Sequence, residues 1–176
     1  MSTKYGNDIC LAIIDVQKGF LNRHTMHIPG LVENLQKDYS TIVVSRFVNA
    51  EDSSFRSFMK WQRFDNMSSE RDLAFRPKDD AFVFEKPTYT IWISAVRSFF
   101  YKHAVREVHL VGIDTDVCVL VSAVDLFQNN IRPVVRAKYC ASHGGPEYDD
   151  AALLIMQRLI GKDQIELDFE RAVRKG

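Results

Sequence analysis

The sequence has no excess of either charge: 23 Lys and Arg stand against 23 Asp and Glu. No overall field therefore draws phosphate backbones or anionic lipid, and neither a nucleic acid nor a membrane is an expected partner. Also missing is any run near the ~20 apolar residues that span a bilayer. The opening MSTKYGNDIC lacks the basic start and apolar stretch of an export signal, so a cytoplasmic protein is expected. Cysteine is scarce. Cys10, Cys118 and Cys140 are three at wide, irregular spacing, which fits neither a disulfide framework nor paired zinc ligands. In a reducing compartment all three stay thiols, free for chemistry. Nor is there a repeat, a low-complexity tract or a Pro/Gly/Ser-rich linker. Gly144-Gly145-Pro146 reads only as a loop before a helix.

What is present suits one globular domain over residues 1–176, since 46% of the residues are hydrophobic and 26% charged. Ile9 to Ile14 is almost wholly apolar and ends at Asp15, the pattern of a strand buried on both faces of a parallel sheet. Thr41 to Ser45, Ala81 to Phe84, Val108 to Ile113 and Ile131 to Val135 repeat it at intervals that hold helices. One helix stripe runs through Trp92, Ala95, Val96, Phe99 and His103, and another through Val117, Leu120, Val121, Val124 and Phe127; both are expected to face the sheet. A third helix is expected from about Glu147 to Leu159, with Gly161 as its stop. The fold class is α/β: a three-layer α/β/α, Rossmann-like, mostly parallel sheet with helices on both faces. Between Phe47 and Asp80 no strand is convincing, yet Phe55, Phe58, Trp61 and Phe64 are concentrated there, as in a lid or an interface.

In doubly wound folds ligands bind beyond the carboxyl ends of the strands, so polar residues that follow apolar strands are site candidates. Asp15 in IIDVQKGF, Lys86 in FVFEKPTY and Cys118 in VGIDTDVCV meet that condition. Pro87 ends its strand and projects Lys86 at the lip. Thr115 and Asp116 are N-cap types, so Cys118 falls in the first turn of a helix, where the backbone dipole and Lys86 favour a thiolate. Taken singly, each residue has a plainer reading: a buried cysteine behaves as a small hydrophobe, an aspartate as a turn residue and a lysine as a solvated one. Cys10 and Cys140 keep the plain reading.

Three motifs in order, D-x-Q-x-x-F (Asp15, Gln17, Phe20), K-P-x-Y (Lys86, Pro87, Tyr89) and G-x-x-T-D-x-C (Gly112, Thr115, Asp116, Cys118), resemble the isochorismatase-like cysteine hydrolase superfamily. That superfamily includes nicotinamidases and N-carbamoylsarcosine amidases, and the resemblance runs from about Asp8 to Leu167. It implies a catalytic triad of Asp15, Lys86 and Cys118. It also implies a cis peptide at Ile113–Asp114, an oxyanion hole from the backbone N–H groups of Asp114 and Cys118, and a substrate pocket near Phe20, Gln17, Trp61 and Tyr89. Asp114 departs from the small residue common there. The D-x-H-x-x-H metal motif of nicotinamidases corresponds here to SRFVNAEDSSF, which has no histidine; Glu51 and Asp52 read as a solvated acidic turn. No metal and no cofactor are expected, and a nucleophilic cysteine argues against the vinyl-ether hydrolysis of true isochorismatases.

The expected function is cysteine-dependent, metal-independent hydrolysis of a small amide, carbamoyl or related C–N bond through a thioester. The expected partners are a small-molecule substrate and further copies of the chain in a homo-oligomer. The alternatives are a non-catalytic α/β binding or assembly module with the same fold, or a redox role for Cys118.

Overall fold

The computed structural model describes residues 4–167. Six strands form one sheet in the order β3-β2-β1-β4-β5-β6, where β1 is Ile9–Ile14, β2 Thr41–Phe47, β3 Phe82–Lys86, β4 Glu107–Gly112, β5 Arg132–Cys140 and β6 Ile165–Glu166. Every ladder is parallel. Parallel neighbours need crossovers, and helices supply most of them: α1 (Ile28–Leu35) leads to β2, α3 (Ser94–Lys102) to β4, α4 (Leu120–Gln128) to β5 and α5 (Pro146–Ile160) to β6. A short α2 (Ser54–Ser57) lies in the long connection between β2 and β3.

Side chains alternate across a strand, so β1 feeds two separate cores. Cys10, Ala12 and Ile14 join Val96 and Phe100 of α3, Ala123 and Leu126 of α4, and Leu153, Met156 and Ile160 of α5. Leu11 and Ile13 join Ile28, Val32 and Leu35 of α1 on the other face, with Phe20, Phe47, Phe55 and Phe64 near the strand ends. The layers are α/β/α, with three helices on one side and α1 with the aromatic segment on the other.

Several boundaries differ from the periodicity. β2 and β5 run past Ser45 and Val135 to Phe47 and Cys140, and Lys86 is the last residue of β3 rather than the first after it. β6 has two residues, too short for any alternation to show. The stripe of α4 is shifted from expectation: Val117, Leu120 and Val124 pack partly buried against the core, Ser122, Ala123 and Leu126 are fully buried, and Phe127 is exposed. The cause is a π turn at Thr115–Val119, whose extra residue turns the following helical face, together with small residues that let α4 approach closely. Ser122 Oγ accepts the Ile91 N–H at 3.1 Å, so the buried face carries a polar tie that a hydrophobicity pattern passes over.

Candidate active site

β1, β3 and β4 end at one edge, and each presents one reactive side chain there. Asp15 follows β1 with φ 48°, a left-handed turn that aspartate tolerates better than most residues. Its Oδ1 accepts from Ser45 Oγ at 2.7 Å, and its Oδ2 lies 2.7 Å from Lys86 Nζ. That Oδ2 is paired by charge, yet no well-aligned hydrogen-bond donor from another side chain or the backbone occupies it. Lys86 Nζ also donates to the carbonyls of Thr88 at 2.7 Å and Tyr89 at 3.0 Å, and lies 3.6 Å from Cys118 Sγ. Asp15, Lys86 and Cys118 are all buried, so the structure brings the three expected residues into one contact.

Gly112 makes the convergence possible. Its φ is +122°, and a Cβ there would stand 2.1 Å from the Ile14 carbonyl oxygen, so β4 can hug β1 at this level only without a side chain. The next peptide, Ile113–Asp114, is cis. The N-cap of the following turn is Asp114, not Thr115 or Asp116. Cys118 sits inside a π turn rather than at an α-helical start.

Burial sets the electrostatics. It pushes the Cys118 thiol well above its ordinary value; Lys86 pulls the other way, and Asp15 adds to the rise. Burial also opposes the charge on Lys86, but Asp15 and the Cys118 sulfur outweigh it and leave the ammonium above its usual range. Burial of the sulfur thus works against the thiolate that the helix position and Lys86 were expected to favour, and Lys86 offsets only part of it.

The triad opens on a chamber of about 280 Å³ lined by Phe20, Phe47, Phe55, Met59, Trp61 and Tyr89, with Val117 and Cys118 on its floor and Asp114 and His143 as further lining groups. Phe47 stacks on Trp61 at 5.6 Å and Phe55 meets Tyr89 edge-on at 5.0 Å. Phe20, Trp61 and Tyr89 thus stand where the pocket was expected. Gln17 does not. It is fully buried, and its amide donates to the carbonyls of Phe47 and Arg71 and accepts the Phe47 N–H at 2.8 Å. It staples β2 to the loop after β1, which consumes the polar atoms a ligand would need. Of the aromatic segment, Phe55 and Phe64 are buried and Phe58 is exposed.

His143 was missed. Its Nδ1 lies 2.6 Å from Asp114 Oδ2, and its backbone N–H donates to Asp114 Oδ1 at 2.7 Å. The signal was available, since Ser142 and His143 follow β5 as Asp15 follows β1, but a Gly-rich stretch reads as a mere connector. The residues in the position of the family's metal motif do not fit a metal. Asn49 donates its amide to the Trp61 and Arg63 carbonyls at 3.0 and 2.9 Å, and no cluster of His, Cys, Asp or Glu among the described residues could hold an ion.

A profile of the Isochorismatase domain matches residues 9–164. Among solved structures, the nicotinamidase PncA from Bacillus subtilis superposes with a TM-score of 0.78 at 20% identity, covering 91% of this chain and 99% of that one. The pyrazinamidase of Pyrococcus horikoshii in complex with zinc gives 0.76 at 18% identity, covering 92% and 98%. The N-carbamoylsarcosine amidase from Thermoplasma acidophilum gives 0.74 at 18% identity, covering 87% and 92%. A search of curated proteins found no match.

Proposed function

The chain belongs to the isochorismatase family, and we propose that it is a metal-independent cysteine hydrolase of a small amide, carbamoyl or related C–N bond. The observation that carries this reading is the buried contact of Cys118 with the Asp15–Lys86 pair at the floor of an aromatic chamber.

Asp15 accepts the Cys118 proton on its unoccupied Oδ2 lobe as the sulfur attacks the carbonyl carbon. Because burial disfavours a free thiolate, proton transfer accompanies attack, and the negative charge moves from the carboxylate to the carbonyl oxygen. Backbone N–H groups of Asp114 and Cys118 receive that oxyanion. Collapse breaks the C–N bond, Asp15 returns the proton to the departing amine, and a thioester remains. Water, deprotonated by Asp15, then attacks the thioester; the acid leaves and the proton returns to sulfur. Lys86 stays charged throughout and keeps Asp15 ionised between the two transfers.

The chain is also proposed to act as a homo-oligomer in the cytoplasm. No helix among the described residues is long and apolar enough to cross a membrane. The outer face of α5 exposes Leu154, Ile155 and Leu159, and burying such a face between copies favours association.

An ammonia-release screen over small amides, ureas and carbamoyl compounds tests the activity. Cys118→Ala is expected to fold normally, as circular dichroism would show, and to lose at least ~10³-fold in turnover. Activity within about tenfold of wild type would end the covalent mechanism. Extended dialysis against a chelator is expected to leave turnover unchanged. A loss reversed specifically by zinc, iron or manganese would overturn the metal-independent reading.

A further inference from the structure

Apart from Cys118, the chamber is lined by aromatic and aliphatic side chains and by one carboxylate–imidazole pair, Asp114 and His143. Apolar walls give a ligand affinity but little orientation, and a few placed polar groups supply the rest. Asp114 is used up by its partner: one oxygen takes the His143 backbone N–H and the other the ring Nδ1. Its carboxylate therefore fixes the imidazole in place with Nδ1 as a donor, and its charge favours the doubly protonated ring, in which Nε2 is a donor as well. The His143 carbonyl is held as well, by Asn22 Nδ2 at 2.7 Å. The ring is half exposed, and no hydrogen bond among the described residues engages Nε2. When protonated, Nε2 is a free donor; of the other donors in the wall, the Tyr89 hydroxyl is turned to Met59 Sδ at 3.6 Å and Trp61 offers a neutral indole N–H.

We propose that His143, oriented by Asp114, is the specificity-determining residue of this site and binds a carboxylate carried on a flat, ring-sized acyl body whose amide faces Cys118. The chamber, at about 280 Å³, suits a single ring between Phe20, Trp61 and Tyr89. Asp114 is the positioning residue. Around His143 stand Asp114 and Asp116 from the turn that carries Cys118, and Arg63 from the aromatic segment; the two acids favour the imidazolium and Arg63 opposes it. Arg63 is itself bound to Glu70 at 2.7 Å. The imidazolium–Asp114 pair is neutral as a unit, so recognition rests on the directed Nε2–H donor, strengthened by the ligand's charge, rather than on a basic field.

The inference deepens the hydrolase reading, and binding separates the two. In a Cys118→Ala background, where no acyl transfer occurs, 4-carbamoylbenzoate, 3-carbamoylbenzoate and benzamide are titrated by calorimetry. At least one of the two carboxylates is expected to bind about tenfold or more tighter than benzamide. Adding His143→Ala is expected to erase that advantage, bringing the ratio of carboxylate to benzamide affinity to within about twofold of one. Asp114→Asn tests positioning: the advantage is expected to disappear at a lower pH than with Asp114 present, a shift that a purely structural role would not produce. Equal binding of all three probes, an advantage that survives His143→Ala, or a parallel loss of benzamide would each overturn the proposal. Ammonia release by the wild-type chain is scored separately. Carboxylate preference without hydrolysis would sink the hydrolase reading alone, and hydrolysis without preference would sink this inference alone.

Discussion

Two clusters of buried polar side chains lie on this sheet, and they are built differently. Near the amino end of β2, Tyr39 Oη meets His109 Nδ1 at 2.5 Å and accepts from Arg136 at 3.0 Å. His109 Nε2 reaches Glu107 at 2.8 Å, and Arg136 forks onto both oxygens of Glu166. Each chain of contacts ends in a partly exposed carboxylate, and none of these side chains lines the aromatic chamber. At the carboxyl ends of β1, β3 and β4, Asp15 and Lys86 are fully buried, Cys118 meets the chamber, and Asp15 Oδ2 lacks an aligned donor. The first cluster spends its polar groups on one another, which a stable fold requires. The second leaves one buried acceptor without an aligned donor, the feature on which the proposed proton transfer rests.

The largest effect that would break this comparison is expected at Lys86. Lys86→Ala leaves Asp15 as an uncompensated buried charge and should cost about 3–5 kcal/mol of stability in urea titrations, with turnover reduced at least ~10²-fold. Pairing Lys86→Met with Asp15→Asn removes both charges and should recover most of that stability while turnover stays lost. A double variant as unstable as Lys86→Ala would mean that packing, not charge, holds the site. Arg136→Met is the contrasting test. It should cost about 1–3 kcal/mol, reduced by the partial exposure of Glu166, and leave turnover within about twofold. A large loss of activity there would couple the two clusters.

The smallest effects concern the two histidines, which should respond to pH with opposite sign. Burial first of all lowers the His109 pKa, against the pull of Glu107. Its contribution to stability is therefore present above the unfolded value of about 6.5 and is lost as pH falls below it. The Asp114 hydrogen bond first of all raises the His143 pKa, so its contribution is complete below about 6.5 and is lost as pH rises through the higher folded value. Thermal melts from mildly acid to mildly alkaline pH should show His109→Gln flattening the acid side and His143→Gln the alkaline side. Slopes of the same sign would contradict the assigned hydrogen bonds.

The alternation of apolar strands with helical stripes already identifies a parallel α/β/α sheet, because burying both faces of a strand leaves a compositional mark that no crossover geometry can hide. The ends of β1, β3 and β4 were legible for the same reason: a charge or thiol directly after such a strand is conspicuous. Gln17 was misread because a motif position does not state which way its amide points, and only β2 beside it shows that Phe47 takes both of its polar ends. The face of α4 was misread because the π turn at Thr115–Val119 changes phase without changing composition.

What the sequence alone determined is the fold class, the single nucleophile candidate and the two ionisable groups that accompany it, since residue type and position relative to a strand end suffice for each. The tertiary structure decided the rest. Whether Cys118 rests as thiol or thiolate depends on how much desolvation outweighs Lys86, a balance of burial against charge that no local pattern contains. Whether His143 is a connector residue or a chamber wall depends on Asp114, 29 residues earlier, and contacts at that separation exist only once the sheet has brought β4 and β5 side by side.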